Sequence, residues 1–243
     1  MEAILYIAHG TRSKKGASEA IDFIERVMNR IDIPIQEMSF LELTKPLINE
    51  GFKRCIARGA TVINVVPLFL LAAGHIKHDI PQTLSSLQAD FPHVEILMKD
   101  PFGVQEKILD AAAELVRNSS GQMDRLLIVA RGSSDPDIHA DFSQIASGLK
   151  ERLGIDFVTV CFLAAAEPSL QQGLDNILEE GTGIVFVLPY LLFSGLLSAE
   201  VEREVNRRKK AGRLIQQTGP LSQHQAIEDI VIERASSKKI VIF

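Results

Sequence analysis

The chain has 243 residues, 46% of them hydrophobic, and a formal net charge of −5. This length allows one large domain or two small ones with a real core, and the acidic balance argues against binding to nucleic-acid phosphates. The two cysteines, Cys55 and Cys161, form no C-x-x-C pair, which argues against a disulfide framework, a thiolate zinc site and an all-cysteine iron–sulfur cluster.

Short apolar runs alternate with amphipathic stretches along the first half of the chain. Residues 4–8 are apolar and Gly10 follows them, a pattern typical of a buried parallel strand that ends in a turn. In the next stretch, Ile21, Ile24 and Met28 are predicted to share the buried face of a helix. The alternation is the βαβ pattern of a doubly wound sheet. Strands are predicted at residues 4–8, 35–41, 61–69 and 93–98, and helices at residues 18–30 and 46–58.

No segment is typical of a secretion signal or a membrane span. The amino terminus, MEAILYIAHG, lacks the basic start and the small-residue cleavage site of a signal peptide. The longest other apolar run, residues 65–74, is too short to cross a bilayer and contains Pro67. We therefore expect a cytoplasmic protein that does not bind membranes.

The second half of the sequence repeats the first at an offset of 122 residues, since Ala8-His9-Gly10 aligns with Ala130-Arg131-Gly132. Other aligned pairs are Phe40 with Phe162, Pro46 with Pro168, Gly51 with Gly173, Gly59 with Gly181 and Pro67 with Pro189. The offset shortens to 119 where Pro101 aligns with Pro220. Prolines and glycines at matching places indicate matching turns, so the chain contains two copies of one unit.

The second copy repeats the strand pattern, and a polar segment containing Gly121 separates the copies at residues 118–124. The predicted fold is therefore α/β, with two tandem duplicated domains, each a doubly wound, mainly parallel four-stranded sheet flanked by helices. The predicted domains are residues 1–120 and residues 121–243. Strands of the second copy are predicted at residues 126–130, 158–163, 184–191 and 213–217.

Three ionisable residues follow the strands of the first copy. His9 and Glu42 come directly after the first and second strands, and His75 comes a few residues after the third. The carboxyl ends of parallel strands share one edge of a sheet, where ligands bind. The aligned residues of the second copy are Arg131, Ala164 and Leu197. Because a residue kept for folding alone would have a similar counterpart, the set predicts a functional site in the first copy only.

Two imidazoles and a carboxylate suit a divalent first-row metal ion with open positions for a substrate. His9 and His75 can bind the ion while neutral, and Glu42 can either ligate it or move protons near neutral pH. The spacing does not distinguish these two roles. A further histidine, His78, has the i+3 spacing of a helix face and is interpreted either as exposed or as functional.

At these residues the sequence resembles the sirohydrochlorin chelatases of the SirB and long CbiX type, which are class II chelatases. The matching motifs are AHGTR at 8–12, FLELTKP at 40–46, VVPLFLLAAGHIKHDIP at 65–81, ARGSSDPD at 130–137, CFLAAAEPS at 161–169 and VLPYLLFSGLL at 187–197. The resemblance runs from residue 3 to about residue 233. In it, His9, Glu42 and His75 occupy the positions of the family's active-site His, Glu and His.

The resemblance implies insertion of Fe²⁺ into sirohydrochlorin to give sirohaem, without ATP and without a cofactor beyond the divalent metal substrate, with Co²⁺ or Ni²⁺ accepted in vitro. The metal ion would bind His9, His75 and Glu42, and the macrocycle would bend in a cleft between the two domains. Glu42 or one of the histidines would accept the two pyrrole protons. Candidate contacts to the carboxylates of the substrate are Thr11, Arg12, Lys45 and Arg131. The expected partners are sirohydrochlorin and the metal ion, with no nucleic acid and no membrane, and the expected state is a monomer, with a homodimer as the alternative.

Three other functions fit parts of the pattern. A sirohydrochlorin cobaltochelatase of cobalamin biosynthesis would use the same residues, and so would a metal or tetrapyrrole carrier without catalysis. A histidine phosphatase is disfavoured because Ala8 stands where its Arg-His-Gly motif has the phosphate-binding arginine. The ending SSKKIVIF lacks the His-rich or cysteine-containing extension of several family members, and the sequence gives it no role.

Overall fold

The computed structural model describes residues 1–119, 123–181 and 183–237. These residues divide into two compact units, one of Met1–Gly103 with the chain from Glu228 on, and one of Val104–Ile227. Within the described ranges, every helix is too short or too polar to span a bilayer. Residues 120–122 of the predicted linker and residues 238–243 of the ending lie outside the described part.

The sheet of the first unit has four parallel strands in the order β2-β1-β3-β4. The strands are β1 (Glu2–Ala8), β2 (Ile35–Phe40), β3 (Val62–Pro67) and β4 (Glu95–Met98). Helices cover parallel strands on both faces, so their sequences are nearly continuous apolar runs, and β1 is buried from Ala3 to Ala8. The predicted fold class is confirmed. β1 begins two residues before its predicted start and β4 begins two residues after its own, whereas β2 and β3 end one and two residues early because their last apolar residues belong to loops.

Three helices of the first unit follow its first three strands: α1 (Lys14–Met28), α2 (Ile48–Ala57) and α3 (Ile80–Asp90). The buried face of α1 is formed by Ala20, Phe23, Ile24 and Val27. The prediction for Ile21 was wrong, since this residue is 38% exposed. Positions 20, 23, 24 and 27 have the i, i+3, i+4, i+7 spacing of one helical face, which leaves Ile21 at its margin.

The second unit has the same topology, with parallel strands in the order β6-β5-β7-β8. Its strands are β5 (Arg125–Ala130), β6 (Phe157–Phe162), β7 (Val185–Tyr190) and β8 (Ile215–Gln217). Its helices are α4 (Glu106–Arg117), α5 (Asp137–Leu153), α6 (Leu170–Glu179) and α7 (Leu196–Lys210). The duplication read from the sequence is thus a duplication of the fold.

The last helix of each sequence copy belongs to the other spatial unit. Helix α4 ends the first copy, but it packs against α5 of the second unit, where Arg152 bonds Asp110 at 2.6 Å. Helix α8 (Gln225–Ser236) ends the second copy, but from Glu228 on it belongs to the first unit. The spatial units therefore differ from the predicted halves, 1–120 and 121–243, by the exchange of one helix.

Both cysteines are free and buried, one in each unit. Burial raises the pKa of the Cys55 thiol and of the Cys161 thiol to about 12. Both thiols are therefore protonated near neutral pH, when only the thiolate binds metal ions well. They are structural residues.

Candidate active site

His9 and His75 follow the two strands between which the strand order of the first sheet reverses. In a doubly wound sheet, the loops after two such strands run to opposite faces and leave a crevice, where ligands bind. His9 comes directly after β1. His75 begins a single turn of π-helix, His75–Asp79, which leads into α3, and such turns are frequent at functional sites.

Glu42 is brought beside His9 by a tight contact between the loops after β1 and β2. The amide of Glu42 donates to the carbonyl of His9 at 3.1 Å. Gly10 has a φ of +93°, and a Cβ at this position would lie 1.7 Å from the carbonyl oxygen of Glu42, so only glycine fits. Gly132 makes the same approach to Ala164 in the second unit. The contact is thus part of the duplicated architecture, whereas the ionisable residues on it are not.

The three predicted active-site side chains meet at this edge of the sheet. The Nε2 atoms of His9 and His75 are 3.2 Å apart, and Oε1 of Glu42 lies 3.7 Å from Nε2 of His9. The two histidine side chains are 27% and 30% exposed, and that of Glu42 is 50% exposed. The ring of Phe69 lies 6.2 Å from the ring of His9 and 6.3 Å from that of His75. The group is therefore open to solvent on one side and apolar on another.

Hydrogen bonds at Nδ1 set the tautomers of both histidines. Nδ1 of His9 lies 3.1 Å from the carbonyl oxygen of Gly10, and Nδ1 of His75 lies 2.6 Å from Oδ2 of Asp79. A carbonyl and a carboxylate only accept, so each Nδ1 carries a hydrogen, and each neutral ring has its lone pair on Nε2. Two lone pairs 3.2 Å apart repel each other. The arrangement thus calls for a cation, either a proton shared by the rings or a metal ion bound to both.

The spacing of the two nitrogens also fits a metal ion. Histidine nitrogens bind zinc, a first-row divalent ion, at about 2.1 Å, which places two adjacent ligands about 3.0 Å apart at a right angle and about 3.4 Å apart at the tetrahedral angle. The observed separation of 3.2 Å lies between these values. Among the described residues no three His, Cys, Asp or Glu side chains form a complete metal site. The pair of histidines is therefore an open, two-nitrogen arrangement, with Glu42 at its margin.

Two residues of the site, Asp79 and Phe69, were missed by the sequence-based prediction. The signal for Asp79 is the motif HIKHD, in which His75 and Asp79 have the i, i+4 spacing that makes helical side chains neighbours. Its bond to Nδ1 of His75 is of the kind that orients metal-binding histidines. No spacing rule identifies Phe69, because an apolar residue at a strand end is usually part of the core.

The other predicted residues lie in the surrounding loops. Thr11 is half-buried and links the loops after β1 and β2. Its amide donates to Oγ1 of Thr44 at 3.0 Å, and that hydroxyl donates to the carbonyl of Thr11 at 2.9 Å. Arg12 follows in the same loop and is exposed. Lys45 is 81% exposed, with Nζ 3.5 Å from Glu50.

Arg131 was predicted to contact substrate carboxylates, and His78 was given two interpretations. Arg131 is exposed directly after β5, at the place in the second unit that corresponds to His9. His78 is exposed on the π-helical turn, in agreement with the first of its two interpretations.

Comparisons with known proteins agree with this architecture. The CbiX family model matches residues 3–119 and 125–238. The sirohydrochlorin ferrochelatase of Priestia megaterium is 45% identical over 210 residues, which cover 85% of this chain and 79% of that protein. The sirohydrochlorin cobaltochelatase of the same species is 30% identical over 97% of this chain and 79% of that protein. The solved structure of SirB from Bacillus subtilis with Fe³⁺ has a TM-score of 0.84 at 38% identity, over 96% of this chain and 93% of that one. With both halves matched, the chain belongs to the CbiX family.

Proposed function

We propose that this protein is a sirohydrochlorin ferrochelatase, a lyase that inserts Fe²⁺ into sirohydrochlorin to give sirohaem. The observation that carries the proposal is the pair of Nε2 atoms of His9 and His75, which are 3.2 Å apart while the Nδ1 atom of each ring lies beside a hydrogen-bond acceptor. The 45% identity to a sirohydrochlorin ferrochelatase supports the same substrate.

In the proposed reaction, His9 and His75 bind the incoming Fe²⁺ and release it to the macrocycle. The metal ion replaces the hydrogens on two pyrrole nitrogens, so each turnover releases two protons. Glu42 is half exposed and close to His9, so it can either complete the metal coordination or take up a proton and pass it to solvent. Holding the metal ion near the pyrrole nitrogens makes the reaction effectively intramolecular, which is the main source of rate in this scheme.

The carboxylates of the substrate need cationic and hydroxyl groups near the site. Arg12 and Lys45 are exposed in the loops after β1 and β2, and we assign them and Thr11 to substrate binding. Arg131 of the second unit is assigned the same role. If Arg131 binds a carboxylate, Arg131→Ala should raise KM with little change in kcat, and an unchanged KM would remove this assignment.

The site needs no cofactor besides its metal substrate, and Co²⁺ or Ni²⁺ are expected to be inserted in vitro, since nitrogen ligands bind these ions at least as well as Fe²⁺. Cobaltochelatase activity is the second candidate, supported by the 30% identity to a sirohydrochlorin cobaltochelatase over 97% of the chain. We further propose that the protein works in the cytoplasm as a monomer, with a homodimer as the alternative.

Anaerobic turnover with both metal ions tests the proposed function. Sirohydrochlorin in large excess over enzyme is mixed with Fe²⁺, with Co²⁺ or with both at equal concentration, and insertion is followed by absorbance. A ferrochelatase converts many substrate molecules per chain with Fe²⁺ and forms sirohaem in the competition. Conversion that stops at one molecule per chain would indicate a carrier, and preferential cobalt insertion in the competition would favour the cobaltochelatase.

A further inference from the structure

Leu43, the residue after Glu42, has an unusual backbone conformation and an exposed side chain. Its φ is +63°, in the left-handed region that favours glycine and asparagine and that is unfavourable for a bulky residue. Its side chain is 51% exposed. A half-exposed leucine in this conformation gains little from packing, so its presence needs another explanation.

The loop around Leu43 is held on both sides. On one side, the amide of Glu42 donates to the carbonyl of His9 at 3.1 Å. On the other, Oγ1 of Thr44 bonds both the amide and the carbonyl of Thr11, at 3.0 and 2.9 Å. The amide of Thr44 also donates to the carbonyl of Glu42 at 2.7 Å, which closes a turn around Leu43. The position of Leu43 is therefore fixed beside the active-site residues.

The second unit shows that the backbone conformation of Leu43 does not depend on a leucine side chain. Ala165, at the position equivalent to Leu43, has a φ of +55°. The amide of Ala164, the residue equivalent to Glu42, donates to the carbonyl of Arg131, just as the amide of Glu42 donates to that of His9. The loop conformation thus belongs to the duplicated fold and does not require leucine. The large apolar side chain occurs only in the unit that has the histidine pair.

We propose that Leu43 is a substrate-binding residue whose side chain packs on an apolar face of the tetrapyrrole ring, next to Glu42. This inference rests on the proposed function, because it takes the tetrapyrrole as the substrate. Together with Phe69, it provides apolar contacts around an otherwise polar group of side chains, as is usual in sites that bind large planar ligands. Leu43 contributes only to substrate binding, whereas the histidines and Glu42 bind the metal ion and accept the protons.

Leu43→Asn tests the proposal, since asparagine is close to leucine in shape, tolerates the left-handed conformation and lacks the apolar surface. We expect a KM for sirohydrochlorin about fivefold higher, from the loss of half a leucine side chain of buried apolar contact. The dissociation constant of metal-free sirohydrochlorin, measured through the fluorescence of the pigment, should rise equally, while kcat changes less than about twofold.

Two matched variants control the test. Leu43→Met keeps the apolar surface, so its KM should rise much less than that of Leu43→Asn. Ala165→Asn introduces asparagine at the equivalent positive-φ position of the second unit and should leave KM unchanged. If Leu43→Asn has a wild-type KM and dissociation constant while the wild type turns over, the proposal is wrong. A wild type that neither binds nor converts sirohydrochlorin would instead contradict the proposed function.

Discussion

In the proposed site, Asp79 determines which nitrogen of His75 faces the metal ion. Its carboxylate accepts the hydrogen of Nδ1 at 2.6 Å, which leaves the lone pair of the ring on Nε2, the atom that faces His9. In the other tautomer, Nε2 would carry the hydrogen and could not bind a metal ion. A carboxylate in this position also makes the imidazole a stronger ligand.

We expect Asp79→Asn to weaken the use of metal ions without unfolding the protein. The amide can keep a hydrogen bond but lacks the charge, so kcat/KM for Fe²⁺ should fall about tenfold to 100-fold. The side chain of Asp79 is 54% exposed, so thermal unfolding should change little. Anaerobic initial rates over a range of Fe²⁺ concentrations measure the effect.

Asp90→Asn is the matched control, because it makes the same substitution at an exposed position at the end of α3. This variant should keep the wild-type kcat/KM for Fe²⁺. Equal activities of the two variants would show that the bond from Asp79 to His75 has no part in metal binding.

At the scale of elements, α8 is fixed to the first unit by a buried carboxylate. Glu228 is 9% exposed and accepts from Nε of Arg26 at 2.7 Å and from Nη1 of Arg30 at 3.1 Å. Both arginines are on or directly after α1. Removing one partner of such a group leaves the others without their bonds, which costs more than the pair contributes when complete.

We therefore expect Glu228→Gln to lower the Tm by about 2–5 °C. Differential scanning calorimetry measures the change. The control is Asp229→Asn, at a neighbouring carboxylate that also bonds Arg30 but is 41% exposed. Its effect should be smaller, because exposed ion pairs contribute little. A larger loss from Asp229→Asn than from Glu228→Gln would contradict this account of the α8 contact.

The order and direction of the elements could be predicted from the sequence, but the placement of the last helices could not. Apolar spacing identifies a helix and its buried face, as in α4, without saying which sheet that face covers. The helices α4 and α8 occupy equivalent places in the two sequence copies, so the sequence pattern does not indicate which unit each of them joins. Only the tertiary contacts of residues such as Arg152 and Glu228 distinguish the two arrangements.

The active site was partly predictable for a similar reason. The rule that parallel strands end at one edge brings His9 and Glu42 together, because both come directly after strands. His75 lies beyond the end of β3, and the π-helical turn returns it to the edge. That turn does not follow from the sequence pattern. The i, i+4 spacing of His75 and Asp79 indicates their bond only where the segment between them is known to be helical.

For the whole molecule, the duplication preserves the fold, and the proposed chemistry uses residues of one unit only. Both sheets have the same strand order and the same glycine contact between loops. Arg131, Ala164 and Leu197 stand in the second copy where the first has the three proposed active-site residues. One chain should therefore have one site for the metal substrate.

We expect anaerobic titration with Co²⁺ to saturate at one ion per chain, followed through the visible absorption of the bound ion. His9→Ala and His75→Ala should each abolish this binding, because either substitution leaves a single imidazole ligand. Saturation at two ions per chain, or an undiminished signal in both variants, would contradict a single site in the first unit.

The most direct test of the account is the initial rate of Fe²⁺ insertion by His9→Ala, Glu42→Ala and His75→Ala, compared with His78→Ala as a control on the same exposed turn. Sirohydrochlorin binding, measured by its fluorescence, shows whether each variant still forms the substrate complex. We predict that the first three variants bind sirohydrochlorin but lose about 100-fold or more in rate, and that His78→Ala stays near wild type. Near-normal rates in all three active-site variants would contradict the central claim that these side chains insert the metal ion.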